Sequence, residues 1–451
     1  MFKYTDFLGQ KACVLGSGKS GLAVAQLLAD CGIDVLISDS NPNPQLKPSL
    51  HLDVETGGHT AQVFACDFFI KSPGILPNSQ VLQIAKAQGI PVFSELEVAL
   101  SFLPKNVRVF AVTGTNGKTT TTALLGEILK YRAEQENKGQ QVWVCGNIGS
   151  PVSQCVRKVQ EGDVVVIEVS SYQLEDSTHF HPHVACLLNI TPDHLDHHGS
   201  MERYIQAKER IFIEQDEKDV AVLNAADALC SQLAPRLKSR ILAFSAQPKH
   251  WIKTSVFFDG DELIFSEADP LTPPKLKGIH NVENAMAAAL MAMADGVCAE
   301  DIQYVFDRFE AMEHRIETVG QVHGVTYIND SKATNLDSTI TALKSFDKTP
   351  TIWLILGGRD KGASYEVLLP YLKEHCKEVL SIGESMDKIE RELHGDFPIT
   401  RCETLEQAVS YAAKHAQEGD VVLLSPACAS FDQFKSFEER GTVFKELVKK
   451  L

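Results

Sequence analysis

A glycine-rich turn is the part of this sequence where residue types and spacing most clearly predict chemistry. An apolar run from Val107 to Val112 leads into GTNGKTT at 114–120, and a helical pattern follows. Glycines let a backbone close around an anion, and the first N–H groups of a helix point at it. Lys118 adds a positive charge, and the Thr119 hydroxyl can bind Mg²⁺. We predict that a nucleoside triphosphate binds Gly114, Thr115, Asn116, Gly117, Lys118, Thr119 and Thr120.

Acidic and histidine side chains follow two further apolar runs. Glu168 ends the run that begins at Asp163, while Asp193 and His194 follow the run 185–190. Binding sites in parallel sheets gather at the carboxyl ends of strands, where an acidic residue can reach the Mg²⁺ of a nucleotide. Glu168 and His194 are therefore candidate metal ligands.

The loop after the second run is rich in histidine, with imidazoles at His194, His197 and His198. Such a cluster also suggests a structural zinc site. However, neither a cysteine nor a third spaced ligand accompanies the histidines in the sequence. The pattern alone is therefore weak support for zinc.

Lys208 is unusual because it lies within an apolar stripe. A lysine in that position is costly unless its ammonium snorkels to solvent or its chemistry changes. A desolvated amine has a lowered pKa and can react with CO₂ to form a metal-binding carbamate. The spacing alone favours snorkelling. On a predicted helix over 201–213, the residues that share its face are Tyr204, Ile205, Ile211 and Phe212.

A second glycine-rich turn, GSGKSG at 16–21, lies near the start of the chain. It follows an apolar run, and Asp39 ends the next one. This arrangement resembles a dinucleotide site, so an NAD-dependent oxidoreductase is one alternative. Such an enzyme would leave the GTNGKTT turn and everything beyond it unexplained. A non-catalytic nucleotide switch or motor subunit is a second alternative, and it predicts ATP hydrolysis without any acceptor amino acid.

Composition narrows the classes further. Apolar residues make up 44% and charged residues 23% of 451 residues, which is typical of a globular protein with two or three domains. The net charge of -16 disfavours nucleic acid and anionic membrane as partners. The eleven cysteines form no CxxC pair, so we expect reduced, mostly buried thiols. We find no leader pattern or membrane span, so we expect a cytoplasmic location.

Apolar runs alternate with helical patterns along the whole chain, which indicates an α/β fold with parallel sheets. The alternation pauses at 103–106, which we interpret as a linker. The segment 252–265 alternates around an Asp-Gly-Asp turn and predicts a β-hairpin. A third block begins after Glu313. Three α/β domains fit this organisation better than two.

Several motifs together resemble the Mur ligase family in order and spacing, from about residue 10 to the C-terminus. The resemblance implies a Rossmann-like N-terminal domain (1–104) for a UDP-sugar, a central P-loop-type mononucleotide-binding ATPase domain (105–311), and a Rossmann-like C-terminal domain (312–451) for an amino acid. It also implies that ATP phosphorylates a carboxylate and that an amine attacks the acyl phosphate. The motifs are GTNGKT at 114–119, GNIG at 146–149, EVSSYQL at 168–174, Asp193-His194, Lys208, HNVEN at 280–284, EHR at 313–315 and NDSKAT at 329–334.

The resemblance also implies roles for individual residues. Lys208 would be a carbamylated lysine that helps to hold a second Mg²⁺, so two ions are expected, with Thr119, Glu168 and His194 as further ligands. Asn281 and Asn284 would lie near the adenine, and Arg315, Asp330 and Lys332 would complete the nucleotide pocket. The UDP-sugar would contact Gly18, Lys19, Ser20, Asp39, Ser40, Ser72, Pro73, Gly74, Asn147, Ser170 and Gln173.

The C-terminal motifs GGRDKG at 357–362 and SPACASFDQFKSFEERG at 425–441 are similar to those of members that add D-glutamate to UDP-N-acetylmuramoyl-L-alanine in peptidoglycan precursor synthesis. The similarity implies D-glutamate contacts at Thr334, Lys361, Ser430 and Phe437. We expect a monomer with these small-molecule substrates. Another Mur-type or a folylpolyglutamate-type amide ligase is the nearest alternative, which the segment from Ser425 disfavours.

Overall fold

The computed structural model describes residues 3–44, 52–247, 252–276, 278–310, 313–346, 348–349, 351–393 and 395–451, and all their side chains except that of Asp196. The chain divides into two compact units. One contains Met1–Pro273 and Glu283–Arg308, and the other contains Pro274–Val282 and Phe309–Leu451. The predicted domain boundary between 311 and 312 lies outside the described residues.

The N-terminal part of the first unit is a parallel five-stranded sheet in the order β3-β2-β1-β4-β5. Its central strands are buried apolar runs, as expected for a parallel sheet covered by helices. Its elements are β1 (Lys11–Leu15), α1 (Lys19–Asp30), β2 (Asp34–Asp39), β3 (Asp53–Thr56), β4 (Phe68–Lys71), α2 (Gln80–Ala87), β5 (Val92–Ser94) and α3 (Glu95–Leu100).

The rest of the first unit is built on an eight-stranded sheet in the order β13-β12-β11-β10-β9-β6-β8-β7, parallel except for the last hairpin. Its strands are β6 (Arg108–Thr113), β7 (Val142–Gly146), β8 (Val164–Glu168), β9 (Val184–Leu187), β10 (Val220–Asn224), β11 (Arg240–Ser245), β12 (Val256–Phe258) and β13 (Leu263–Phe265). Its helices are α4 (Lys118–Glu136), α5 (Val152–Cys155), α6 (Ser171–Glu175), α7 (Leu195–His198), α8 (Met201–Glu209), α9 (Ala228–Leu233), α10 (Ile279–Ala294) and α11 (Ala299–Phe306). The first four residues of α10 belong to the second unit.

The second unit contains a six-stranded sheet in the order β14-β15-β19-β16-β17-β18, in which only β14 is antiparallel to its neighbour. Its strands are β14 (Glu317–Val322), β15 (Val325–Asn329), β16 (Ile352–Gly357), β17 (Cys376–Ile382), β18 (Ile399–Glu403) and β19 (Val421–Leu424). Its helices are α12 (Leu336–Leu343), α13 (Leu369–His375), α14 (Met386–Leu393), α15 (Leu405–His415) and α16 (Phe437–Val448).

Strand order in the eight-stranded sheet determines which loops meet. β6 lies between β8 and β9, so the turns after these three strands leave the same edge of the sheet. This is the switch point at which ligands bind in open parallel sheets. The GTNGKTT turn, Glu168 and the His194 loop are therefore brought together.

Three expectations from the sequence can be compared directly with these elements. The hairpin is confirmed as β12 and β13, although both strands are shorter than predicted. The helix predicted over 201–213 ends as an α-helix at Glu209 and continues as a 3₁₀ turn. All eleven cysteines are free thiols, and nine of them are buried. Among the described helices, none combines the length and apolar character needed to cross a bilayer.

Candidate active site

The GTNGKTT turn after β6 has the backbone conformation that its glycines predicted. Gly114 and Gly117 adopt φ values of 155° and 85°, and α4 begins directly after Gly117. A Cβ atom on Gly117 would lie 2.2 Å from Asn284 Oδ1. Only glycine fits this position, because both the backbone conformation and the space exclude a side chain.

The loop after β9 fixes the shape of this turn. Asn116 N donates to Asn189 Oδ1 at 2.8 Å, and Asn189 Nδ2 donates back to Asn116 O at 3.2 Å. Thr115 Oγ1 lies 3.0 Å from Tyr204 Oη and accepts from Thr191 N at 3.0 Å. The loop after β9 and Tyr204 on α8 thus hold the turn in place.

Two lysines converge on the turn. Lys118 Nζ donates to Gly114 O at 2.8 Å and to Thr115 O at 2.7 Å. Lys208 Nζ, on α8, donates to the same Gly114 O at 2.7 Å. Lys208 is only 1% exposed, so the snorkelling favoured by its spacing was wrong. Burial lowers the pKa of Lys208 well below its ordinary value, and the charge of Lys118 lowers it further.

Glu168 ends β8 as a buried carboxylate with one unused oxygen. Its Oε1 accepts from Asn147 Nδ2 at 2.6 Å. Its Oε2 is buried and accepts no hydrogen bond from any described residue. An unpaired buried carboxylate oxygen is costly, which indicates that a cation belongs beside it.

His194 is held in a left-handed conformation, with φ 55°, directly before α7. Its Nδ1 lies 2.9 Å from Tyr172 Oη, and its Nε2 lies 3.4 Å from Asp193 Oδ2. The side chain is partly exposed at the loop that faces the turn. Tyr172 and Asp193 therefore set the direction of the imidazole.

These residues fit Mg²⁺ in part. The hydroxyl of Thr119 and the free oxygen of Glu168 are the hard oxygen ligands that Mg²⁺ prefers. Lys208 as an amine offers no oxygen, so it fits a metal only after modification. Gly114 and Gly117 let neighbouring residues pack closely against the turn, and α4 directs its first N–H groups toward a bound phosphate.

The turn after β1 is equally constrained. A Cβ on Gly21 would lie 2.0 Å from Gly16 O, so α1 packs tightly on the turn. Asp39 accepts from Ser17 N at 2.7 Å and from the Ser17 hydroxyl. Burial would raise the pKa of Asp39, but hydrogen bonds from Ser17 and Asn41 outweigh it and lower the pKa. Asp39 thus has a structural role in the turn, beside any contact with a ligand.

The other N-terminal residues predicted to contact the UDP-sugar lie at the same edge of the five-stranded sheet. Lys19 at the start of α1 donates to Gly149 O, which lies after β7. Ser72 Oγ donates to Gly16 O at 3.3 Å. Gly18 precedes α1 and Ser20 lies in its first turn, Ser40 follows β2, and Pro73 and Gly74 follow Ser72.

Ser170 and Gln173, predicted to hold the sugar and peptide, contact each other. Gln173 Oε1 accepts from Ser170 N and Oγ at 3.0 Å each, and Ser170 Oγ accepts from Gln173 N at 3.3 Å. This reciprocal pair is a capping box at the start of α6. It fixes α6 close to Glu168.

Asn284 and Asn281 lie on α10, but in different compact units. Asn284 Oδ1 accepts from Thr121 Oγ1 at 3.3 Å, so it contacts the helix that carries the phosphate turn. Asn281 is buried in the other unit. Burial lowers the pKa of its neighbour His280 to about 4.

The second unit holds a buried carboxylate at the end of β15. Asp330 Oδ2 accepts from Ser425 Oγ at 2.8 Å, and Oδ1 accepts from Ile316 N at 3.3 Å. Burial raises the pKa of Asp330 to about 7, against the opposing effect of Arg315. Arg315 Nε is itself buried without a hydrogen bond to any described residue.

The loop after Asp330 is held from α16. Buried Arg440 donates to Ser331 O at 2.8 Å and to Cys428 O at 3.1 Å. Lys332 Nζ lies 5.5 Å from the centre of the Phe437 ring. Thr334 N donates to Lys332 O at 2.9 Å. The remaining predicted contacts lie in turns of this unit: Lys361 follows β16, and buried Ser430 follows β19.

Sequence reasoning missed the residues that orient these groups. Asn189, Tyr172 and Tyr204 each contact a predicted site residue, and Arg440 contacts Ser331 within the NDSKAT motif. Asn189 and Tyr172 lie within motifs already singled out, which was the available signal. Arg440 lies within the motif at 425–441, but the motif did not reveal its contact with Ser331, which precedes it by 109 residues.

Comparison with known proteins gives consistent matches along the chain. Residues 10–94 match the model of the Mur ligase MurD-like N-terminal domain, and 112–292 match the Mur ligase middle domain. Residues 314–428 match the Mur ligase glutamate ligase domain. The three matches confirm the predicted fold class of three α/β domains.

Individual relatives cover the full length. The UDP-N-acetylmuramoylalanine--D-glutamate ligase of Elusimicrobium minutum is 53% identical, with 100% of each chain aligned. The ligase of the same name from Koribacter versatilis is 46% identical over 99% of this chain and 98% of its own. The fold is similar to that of UDP-N-acetylmuramate-alanine ligase from Thermotoga maritima, with TM-score 0.61 and 20% identity over 98% of this chain and 99% of that one.

Proposed function

This chain belongs to the Mur ligase family, and from that premise we propose that it joins D-glutamate to UDP-N-acetylmuramoyl-L-alanine while ATP is cleaved to ADP and phosphate. The observation that carries the proposal is the full-length similarity to D-glutamate ligases, which extends through the C-terminal unit. The reaction would serve peptidoglycan precursor synthesis, and with it cell shape and division.

The first step is transfer of the γ-phosphoryl group of ATP to the alanyl carboxylate. Lys118 and the N–H groups of the turn hold the phosphates and offset their charge. Thr119, Glu168 and His194 would hold Mg²⁺, and two ions are proposed. Bound Mg²⁺ would neutralise charge on the transferred group. Because both reactants are anions, this neutralisation decides whether they can approach each other.

We propose that Lys208 acts in this step as a carbamate that helps to hold Mg²⁺. Burial and the neighbouring Lys118 favour its neutral amine, which attacks CO₂, forms an N–C bond and loses a proton. The product carries two oxygens in place of an ammonium. It thereby becomes the kind of oxygen ligand that Mg²⁺ prefers.

In the second step the D-glutamate amine attacks the acyl phosphate, and phosphate leaves from the tetrahedral intermediate. Lys361 would pair with a glutamate carboxylate, while Thr334, Ser430 and the backbone at Phe437 would supply hydrogen bonds. Arg315, Asp330 and Lys332 would contact the nucleotide and the acyl phosphate, with Asn281 and Asn284 near the adenine. A dicarboxylic amino acid requires such a mixture of one cation and several donors.

The UDP-sugar is proposed to bind at Gly18, Lys19, Ser20, Asp39 and Ser40, with Ser72, Pro73, Gly74, Asn147, Ser170 and Gln173 near the sugar and peptide.

The proposed domains are 1–104, 105–311 and 312–451. We propose that the enzyme acts in the cytoplasm as a monomer, which light scattering during size-exclusion chromatography would test.

A substrate panel separates this reaction from that of another Mur-type or a folylpolyglutamate-type ligase. UDP-N-acetylmuramoyl-L-alanine and a folate acceptor would each be offered with D-glutamate, L-glutamate and L-alanine, and ADP and the amide product measured. We expect product only from the UDP-sugar with D-glutamate. Equal product with L-glutamate would contradict the proposal.

A further inference from the structure

A second cluster of metal-binding side chains lies at the ends of α6 and α7, behind the residues assigned above. Glu175 ends α6, and His197 and His198 end α7. His197 Nε2 lies 3.0 Å from Glu175 Oε2, and His198 Nδ1 lies 3.4 Å from Glu175 Oε1. One ligand atom from each of the three residues lies within 4.8 Å of the others.

His198 supplies an independent indication that something binds here. Its side chain is fully buried, and its Nδ1 makes no hydrogen bond with any described residue. Its Nε2 lies 3.0 Å from Ser171 Oγ, which fixes the ring so that Nδ1 points at Glu175. Metal-binding histidines commonly have this arrangement, with one nitrogen held by a neighbour and the other left for the ion.

The spacing of the ligands suits a small dication. Zinc binds nitrogen and oxygen at about 2.0–2.2 Å in tetrahedral geometry, so neighbouring ligand atoms lie roughly 3.3–3.6 Å apart. The two distances to Glu175 are close to this range. Because Glu175 is 20% exposed, an ion can enter from solvent and water can take the fourth position.

The charges around the cluster also permit a cation. Lys71 Nζ lies 3.2 Å from Glu175 Oε2, but 2.7 Å from Asp176 Oδ2. The carboxylates of Glu175 and Asp176 thus share this one ammonium.

We propose that Glu175, His197 and His198 form a binding site for a zinc-class transition-metal ion, separate from the Mg²⁺ site. Two imidazoles and one carboxylate suit zinc or cobalt, whereas Mg²⁺ prefers oxygen ligands. The histidine-rich loop lacked a third ligand in the sequence, and Glu175 supplies it from another helix. Tyr172 lies between the sites, with its ring 4.1 Å from His197 and its hydroxyl 2.9 Å from His194.

Cobalt absorption tests this site without relying on activity. Untagged protein would be stripped with a chelator, transferred to buffer with excess Mg²⁺, and titrated with Co²⁺. We expect an intense visible band, typical of tetrahedral cobalt, that saturates at about one ion per chain and is displaced by Zn²⁺. A weak octahedral spectrum, or no saturation, would overturn the proposal.

Matched variants locate the ion. His197→Gln and His198→Gln should each remove the band or weaken binding at least tenfold. His181→Gln is the control and should keep the band. His181 also pairs with a carboxylate, Asp219, at 2.7 Å, but it is not part of the cluster. Glu168→Gln removes a proposed Mg²⁺ ligand and should keep the band. An undiminished band in both cluster variants would rule the site out.

Anomalous diffraction at the zinc edge gives an answer even if the variants fold poorly. Crystals of the unaltered protein soaked in Zn²⁺ should show a peak between the two imidazoles and Glu175. A fully occupied peak elsewhere, with none at this cluster, would contradict the proposal.

Discussion

Lys118 and Lys208 donate hydrogen bonds to one carbonyl oxygen, that of Gly114, at 2.8 and 2.7 Å. Two ammonium groups so close repel each other, and the one that burial also removes from water loses its charge more readily. Lys208 is that group, so its neutral amine is favoured beside a turn built for phosphate. In the proposed reaction the two lysines have different roles: Lys118 supplies charge, and Lys208 supplies an amine that can react with CO₂.

Replacing Lys208 tests the proposed carbamate. We expect Lys208→Ala to lower kcat by roughly 100-fold or more, since removal of preorganised charge in an active site has effects of this size. A short-chain carboxylate should partly restore the rate, because it returns oxygens to the vacated space. Lys130→Ala, at an exposed ion pair, should leave the rate unchanged. Full activity of Lys208→Ala would exclude the carbamate.

The Asn147–Glu168 hydrogen bond should set the affinity for Mg²⁺. Asn147→Ala removes the donor that orients Glu168, and loss of such a partner weakens metal binding by about 10- to 100-fold. The measurement is the Mg²⁺ dependence of ADP release. Asn106→Gly is the control, because it breaks a similar amide–carboxylate pair at the surface, at a φ of 59° that glycine adopts readily. An unchanged Mg²⁺ requirement in Asn147→Ala would disprove this role.

Gly117 should tolerate no side chain. Its φ of 85° and the 2.2 Å approach of Asn284 Oδ1 mean that Gly117→Ala must distort the turn. We expect ATP affinity to fall at least tenfold, measured by calorimetry. Gly139→Ala has a similar φ of 75° but open space around it, so it separates backbone strain from the clash. Equal ATP affinity in the two variants would show that the clash is unimportant.

The buried carboxyl of Asp330 should make stability depend on pH. Its pKa is about 7 in the folded protein and ordinarily 3.8, so the folded state retains a proton that the unfolded state releases. Stability should therefore fall as pH rises from about 4 to about 7. Asp330→Asn has no carboxyl to titrate, so its melting temperature should rise relative to that of the unaltered protein as pH increases from about 4 to about 7.

Asp420 provides a control of opposite sign in the same unit. Burial would raise its pKa, but hydrogen bonds from Gln417, Lys377 and Trp353 outweigh burial and lower it. Its contribution to stability is therefore present above pH 3.8 and lost as pH falls. Asp420→Asn should cost stability at neutral pH and less in acid. If Asp330→Asn and Asp420→Asn shift melting in the same direction, the assignment of Asp330 is wrong.

The sequence predicted the site correctly where the residues that form a feature are adjacent in the chain. The turn at 114–120 was predictable because its strand, glycines and helix are contiguous. The stripe around Lys208 predicted burial of that face, but not where the amine ends. The position of the amine depends on Gly114, which lies 94 residues away in sequence. The strand order of the sheet brings Gly114 next to α8.

Other features could not be predicted because they depend on long-range packing. Glu175 completes the histidine cluster from a helix that precedes it by 22 residues. The short edge strands β3 and β5 carry only four and three residues, too few for a periodic pattern. Ser170 and Gln173 were predicted as ligand contacts, and their mutual capping was not foreseen.

Isotope transfer tests the central claim that ATP phosphorylates a carboxylate. UDP-N-acetylmuramoyl-L-alanine labelled with ¹⁸O in its carboxyl group would be incubated with ATP and D-glutamate, and the released phosphate analysed by mass spectrometry. An acyl phosphate requires one labelled oxygen to leave with each phosphate formed. Phosphate without label, at a normal rate of ADP formation, would contradict the account.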